Sequence, residues 1–283
     1  AVPLLLIFGA TMGCIDVVVN IQAVIVEKAA GRRLMSGMHA LWSVGGFAGA
    51  GLFGIWVGTF ALTPLLSTII AAAIMVLVTL AASRHLLPYG GDAGGKLLAL
   101  PKGIVTFVGI IACIAFLVEG AIMDWGSVFL TTVRHFDMSL AGTAFTVFSA
   151  AMLTMRLFGD WTVQKLGQER VVIGGSLLAV AGFLLVIFAA EPALLYLGFF
   201  AIGIGCANVV PVFFSLLGKQ RVMPVSLAVP AVSTLGYLGI LMGPAVIGFI
   251  AHQTSLYTAF GLLAFLVLLQ SIIAAYVYRH ILD

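Results

Sequence analysis

The run VPLLLIFGATMGCIDVVVNIQAV, Val2–Val24, is apolar along its length and carries one charge, at Asp16. A helix needs about 20 such residues, at 1.5 Å each, to cross the ~30 Å hydrocarbon core of a bilayer. The whole chain repeats this character. Of its 283 residues 63% are apolar and 8% charged, where soluble domains average roughly 45–50% and about 25%. Its mean hydropathy is +1.24. Folded in water, such a chain would expose far too much apolar surface, which argues against soluble enzymes and nucleic-acid modules. The predicted class is all-α and polytopic in the membrane.

Working outward, the same pattern recurs at Ser36–Gly58, Leu62–Ala82, Gly103–Thr131, Leu140–Gly159, Val171–Ala189, Ala193–Leu217, Val225–Ile250 and Leu256–Tyr278, nine spans in all. Cations fall in alternate loops. Lys28, Arg32 and Arg33, then Arg84, Lys96 and Lys102, then Arg156, Lys165 and Arg170, then Lys219 and Arg221, then Arg279 share one side; Arg134 alone is on the other. Lys and Arg accumulate on the cytoplasmic side, so the C-terminus is expected there. A missed span would scramble this alternation. Trp56 and Trp125 near outer ends and Trp161 near an inner end fit interfacial belts or ordinary packing equally well. Cys14, Cys113 and Cys206 are odd in number, widely spaced and set in apolar runs; they read as small buried apolar residues.

Residues 85–102, with Pro88, Gly90, Gly91, Gly94, Gly95 and Pro101, read as a cytoplasmic linker. It separates 1–84 from a six-helix unit, 103–283. Gly13-Cys14-Ile15-Asp16-Val17-Val18 in the first span matches Gly205-Cys206-Ala207-Asn208-Val209-Val210 in the seventh, setting Asp16 on Asn208. The spans that follow each have small-residue stripes, Gly46, Ala50, Gly54 and Gly58 in one and Gly236, Gly239 and Gly243 in the other; such stripes let helices approach closely in lipid. If spans one and seven are equivalent, three helices precede this sequence in a twelve-helix protein. The opening Ala-Val-Pro, without an initiator Met, is read in the same sense.

Two such six-helix halves are the architecture of the major facilitator superfamily, which the chain resembles over nearly its whole length. Arg156-x-x-Gly159-Asp160 with Lys165-x-Gly167-x-x-Arg170 is similar to the superfamily's cytoplasmic loop signature, with Trp161 where arginine is frequent. Gly243-Pro244 with Gly248 resembles its eleventh-helix motif. Gly13-Cys14-Ile15-Asp16-x-x-x-Asn20 resembles the fourth helix of the fucose–proton symporter branch. That resemblance implies that Asp16 and Asn20 line a sugar and proton cavity, with His39 and Trp42 at fifth-helix polar positions whose residue types differ. Glu119-Gly120-Ala121-x-x-Asp124-Trp125 looks like the seventh helix of uncharacterised bacterial relatives of the branch.

Three acids lie well inside predicted spans: Asp16, Glu119 and Asp124. An ionised carboxylate at helix centre costs about 2.5–3.5 kcal/mol on insertion scales and usually marks an ion or substrate path. Asp16 is about 18 Å along its helix, near the midplane, where it can load and release a proton as access alternates; a neutral or paired packing carboxylate is the other reading. Asn20, four residues on, shares its face, and Asn208 lies at similar depth; either amide can also join helices. Glu119 is a second coupling residue. Asp124, near the outer mouth, is a gate residue with Arg134 as its partner. His39 and Trp42 are solute contacts or packing. Asp160, Lys165 and Arg170 form a cytoplasmic charge latch, or reflect positive-inside charge with an incidental acid. Gly203-x-Gly205 is followed by no phosphate-loop lysine, and no paired-histidine or nucleophile–base set suggests a metal, a cofactor or an enzyme.

The expected function is secondary active transport of a small polar, sugar-like solute, proton-coupled, in a bacterial inner membrane. The alternatives are a drug–proton antiporter, a non-transporting membrane sensor or, fitting the repeat poorly, a nine-helix channel. Expected partners are the solute, protons and the lipid bilayer, without nucleic acid, with the full-length protein a monomer.

Overall fold

A computed structural model describes residues 2–88 and 100–280. Gly90, Gly91, Gly94, Gly95 and Lys96 of the predicted linker lie outside the described residues. The helices are α1 (Val2–Ala30), α2 (Met35–Gly58), α3 (Pro64–Ser83), α4 (Ile104–Val128), α5 (Thr143–Leu157), α6 (Gly159–Leu166), α7 (Gln168–Phe188), α8 (Pro192–Cys206), α9 (Val209–Leu217), α10 (Val225–Gln253) and α11 (Leu256–His280). A π-helical turn, Phe129–Val133, prolongs α4, and a 3-10 turn, Met138–Leu140, leads into α5. Among the described residues there is no strand, and nine helical stretches are long and apolar enough to cross a membrane.

Local chemistry sets many of the ends. Thr63 accepts a hydrogen bond from the Leu66 amide and Pro64 opens α3, while Pro192 opens α8. Gly31, at φ 63°, turns the chain out of α1.

The seventh predicted span, Ala193–Leu217, departs from expectation: it is two helices, α8 and α9, meeting at Ala207 and Asn208. The cause is Pro211, which has no N–H to return to the carbonyl four residues earlier, that of Ala207. The equivalent region of α1, around Asp16, has no proline and is continuous.

Close packing is concentrated in the later helices. A Cβ on Gly175 would lie 2.7 Å from the Gly205 carbonyl oxygen, and one on Gly182 2.7 Å from that of Gly198, so α7 and α8 touch backbone to backbone. A Cβ on Gly239 would overlap the Cys113 carbonyl, and one on Gly243 would sit 3.0 Å from that of Leu117, joining α10 to α4. The stripe of the eighth span therefore packs as predicted. In the second, a Cβ on Gly46, Gly54 or Gly58 would meet nothing within 4 Å among the described residues. Only 6% of the spanning window of each of α1, α2 and α3 is buried, against 61% for α4 and 89% for α8–α9. The core thus lies in the later helices, with Phe129, Phe148, Phe183, Phe199 and Phe260 at one end and Val209, Phe213, Phe214 and Leu217 at the cation-rich end. Cys14, expected to be buried, is exposed on α1; Cys206 is buried. Trp125 packs on α10, donating from Nε1 to the Pro244 carbonyl at 3.0 Å, where Gly248 leaves room for its ring.

Gly239→Ala is expected to lower the thermal unfolding midpoint. Gly174→Ala, in open space on α7, gains helix propensity of about 1 kcal/mol and should hold or raise it. Equal midpoints for the two variants would remove backbone-close packing of α4 and α10 as a source of stability.

Candidate functional site

Arg156, grouped with the loop cations in the sequence, lies inside α5 and is buried. Its Nε donates to the Ala207 carbonyl at 3.1 Å, the carbonyl that Pro211 leaves without a helical partner. One terminal nitrogen donates to Ser43 Oγ of α2 at 3.3 Å, and the other lies 3.7 Å from Glu119 Oε2 of α4. A single guanidinium therefore ties together α2, α4, α5 and the α8–α9 break. The planar fork of arginine suits this; an ammonium could not reach three separate acceptors in such fixed directions. Asn208, at the break, is buried, and neither polar atom of its side chain has a partner among the described residues.

Asp16 is half-buried on α1, and its carboxyl faces the Tyr237 phenol of α10. No cation lies within ion-pair distance of it among the described residues. The Tyr237 ring is 6.5 Å from that of Phe116, one turn before Glu119 on α4. Asp16 with Tyr237, and Glu119 with Arg156, make two polar pairs, α1 to α10 and α4 to α5, together termed the polar line. Asn20 shares the Asp16 side of α1 but donates its amide to the Asp16 backbone carbonyl at 3.0 Å. His39 lies on the face of α2 that also carries Ser36 and Ser43; its Nδ1 is 3.0 Å from the Met35 carbonyl and its ring 5.9 Å from that of Phe214. Trp42 is turned away from that face and is 59% exposed, so it does not join His39.

At the cation-rich end the four orphan amides at the start of α2 are met by two carboxylates. Glu27 Oε2 accepts from Leu34 and Met35 at 2.9 and 2.8 Å, and Asp160 accepts from Ser36 and Gly37 at 3.0 and 2.8 Å. Negative charge at a helix N-terminus is also favoured by the helix dipole. Gly159 makes the contact possible, because a Cβ there would overlap the Asn208 amide oxygen and crowd the Ser36 side chain, 2.6 Å away. The signature Arg156-x-x-Gly159-Asp160 thus acts as a unit in which the arginine anchors the break, the glycine admits α2 and the aspartate caps it. Burial, the largest influence on Asp160, lifts its carboxyl above the ordinary range; the amides of Gly37 and Ser36 pull it down, and the Glu27 charge pushes it up.

The predicted three-charge latch is corrected accordingly. Lys165 lies over the Trp161 ring of its own helix at 4.3 Å, and Arg170 is exposed without an ion pair among the described residues. A carboxylate needs a helix N-terminus here, not a cation. The expected Asp124–Arg134 gate pair is also absent. Asp124 is exposed, and the π-helical turn carries Arg134 to the end of α7, where it donates to the Val186 and Ile187 carbonyls at 2.9 and 2.7 Å and lies over the Phe129 and Tyr257 rings. The negative end of that helix is its partner. Glu27, Ser43, Tyr237 and the internal position of Arg156 were missed in the sequence. Only Arg156 had a signal there, its place before the end of an apolar run.

Comparison with known proteins accords with this arrangement. The model of the Major Facilitator Superfamily matches residues 107–281. An uncharacterized MFS-type transporter of Yersinia pestis is 47% identical over 267 residues, 93% of this chain and 69% of the relative. An uncharacterized transporter of Sinorhizobium fredii is 33% identical over 275 residues, 95% of this chain and 72% of that one. The crystal structure of the human organic anion transporter MFSD10 (TETRAN) superposes with a TM-score of 0.62 at 20% identity, over 85% of this chain and 62% of that one. The chain belongs to the Major Facilitator Superfamily and is a multi-pass membrane transporter of that type.

Asp160→Ala should loosen the cap on α2 by about 1–2 kcal/mol, roughly a 5- to 30-fold shift. In a cysteine-free background, Val212→Cys, buried beneath the cap, should then label with maleimide faster by that factor. A carboxyl raised on closure stabilises the closed state most at pH below its ordinary range and loses that contribution as pH climbs through the raised value. Labelling should therefore quicken with rising pH in the parent and lose this dependence in Asp160→Asn. Unchanged labelling in Asp160→Ala would exclude the cap as a latch.

Proposed function

We propose that the protein moves a small polar, sugar-like solute across a bacterial inner membrane by alternating access, coupled to protons, with its cation-rich face and C-terminus in the cytoplasm. On this reading α1–α3 are the closing helices of an N-terminal half, residues 85–102 are a linker, and 103–283 are the C-terminal half. The observation that carries it is the Asp16 carboxyl, set on a membrane helix opposite Tyr237 and without a cation. A group that costs about 2.5–3.5 kcal/mol to place at this depth is tolerated where water, a proton or cargo reaches it.

The rest of the polar line supports the same reading. Glu119 is 32% exposed and loosely paired with Arg156; protonating it would weaken its hold on the guanidinium. Asn208 and His39 offer hydrogen bonds to a hydroxylated cargo. Asn20 donates to the Asp16 carbonyl and also reaches the Asp16 carboxyl, so it stays beside the cargo site, while Trp42 is turned outward. The caps of Glu27 and Asp160 join the start of α2 to α1 and α6 at the cation-rich end.

In proteoliposomes of the whole protein, Asp16→Asn should reduce proton-driven uptake to background while retaining solute exchange. Driven uptake equal to the parent's would remove Asp16 from coupling. A thermal-shift screen in which lipophilic cations stabilise and sugars do not would move the reading to drug–proton antiport.

A further inference from the structure

An open cleft of about 570 Å³ lies at the cation-rich end, between the α1–α2 turn and the starts and ends of α6, α7 and α9. It is outside the polar line of the cargo site. Lys28, Arg32 and Arg33 line it from one side and Lys219 from the other. The carboxylate lining it is that of Glu27, and it is already engaged: one oxygen takes the two α2 amides, and the other meets the Ser215 hydroxyl and lies 3.7 Å from Arg33. Arg33 and Lys219 converge on a neutral acceptor, Gln168 Oε1, at 3.2 and 3.3 Å. Lys28 and Arg32 have no hydrogen bond or ion pair among the described residues and project into the same cleft. Two cations sharing one amide oxygen, with two more at the rim, form an arrangement short of an anion. Burial, the largest influence, and the Arg33 charge hold the Lys219 ammonium below its ordinary range, against the pull of Glu27.

We propose that this cleft binds a phosphate group, presented either by an anionic lipid headgroup or by a soluble phosphate compound, and that the bound group braces the closed state of the cation-rich face. A phosphate offers several acceptor oxygens to a guanidinium fork and an ammonium at once, replacing the shared amide. Basic pockets between membrane helices at headgroup depth are suited to anionic lipids. The walls come from the α1–α2 turn on one side and from α7 and the end of α9 on the other, the two groups that the Asp160 cap also joins. An anion held between them binds the closed arrangement and loses half its ligands when they part. It therefore shifts the equilibrium toward closure.

The test uses the whole protein purified in detergent. Inorganic phosphate is compared with chloride at equal ionic strength, and phosphatidylglycerol micelles with phosphatidylcholine micelles. The thermal midpoint should rise by about 2–4 °C with phosphate, with phosphatidylglycerol, or with both, and the maleimide reactivity of Val212→Cys should fall in parallel. A rise with phosphatidylglycerol alone identifies the headgroup; a rise with inorganic phosphate identifies a soluble ligand. The Arg32→Gln/Lys219→Gln variant, which leaves the Glu27 and Asp160 caps intact, should lose the response while keeping its midpoint in chloride. No response in the parent, or an equal one in the variant, overturns the proposal. Solute transport is not part of the readout, so the result stands apart from that of the Asp16 experiment.

Discussion

Pro211 leaves the Ala207 carbonyl without a helical partner, and Arg156 supplies the hydrogen bond. Much of the arrangement around the site follows from that contact. An arginine drawn into α5 to satisfy a backbone carbonyl brings a positive charge inside the bundle, and the charge needs an acid; Glu119 on α4 stands at that place. The remaining nitrogen reaches Ser43 on α2. α2 is thereby tied by a polar contact to α5 and, through Arg156, to α4 and the α8–α9 break.

The same logic governs the cation-rich end. The first turn of α2 exposes four amides, and carboxylates from two different places, Glu27 and Asp160, satisfy them in pairs. Because Asp160 belongs to α6 and Glu27 to α1, this helix start is complete only while the two groups of helices are together. A contact between a charge and a helix end is directional and short-ranged, so separation removes it almost completely. Gly159, Gly37 and the Ser36 side chain show how closely the elements meet there, since a methyl group at either glycine would collide with its neighbour.

Asp16 and Glu119, the two carboxylates inside the bundle, stand in different company. Glu119 lies 3.7 Å from the Arg156 guanidinium. Asp16 faces a phenol, which can accept or donate a hydrogen bond without fixing the charge of its partner.

The number and order of the membrane-length helices were legible from the sequence, because they depend on composition along one chain measured against the thickness of a bilayer. The stripe Gly236, Gly239 and Gly243 was legible for the same reason, since its spacing is that of a helix face. Which stripe finds a partner was not: Gly239 meets Cys113, while Gly54 meets open space. Nor could the sequence tell that Asp160 would bind amides where a lysine was expected, that Arg134 would seek the carbonyls of α7 and leave Asp124 alone, or that Glu27 would fold back on the helix that follows it. Those pairings are made across helices far apart in the chain. A charged side chain accepts any partner that offers the opposite charge or dipole, and only tertiary packing decides which one lies within 3 Å.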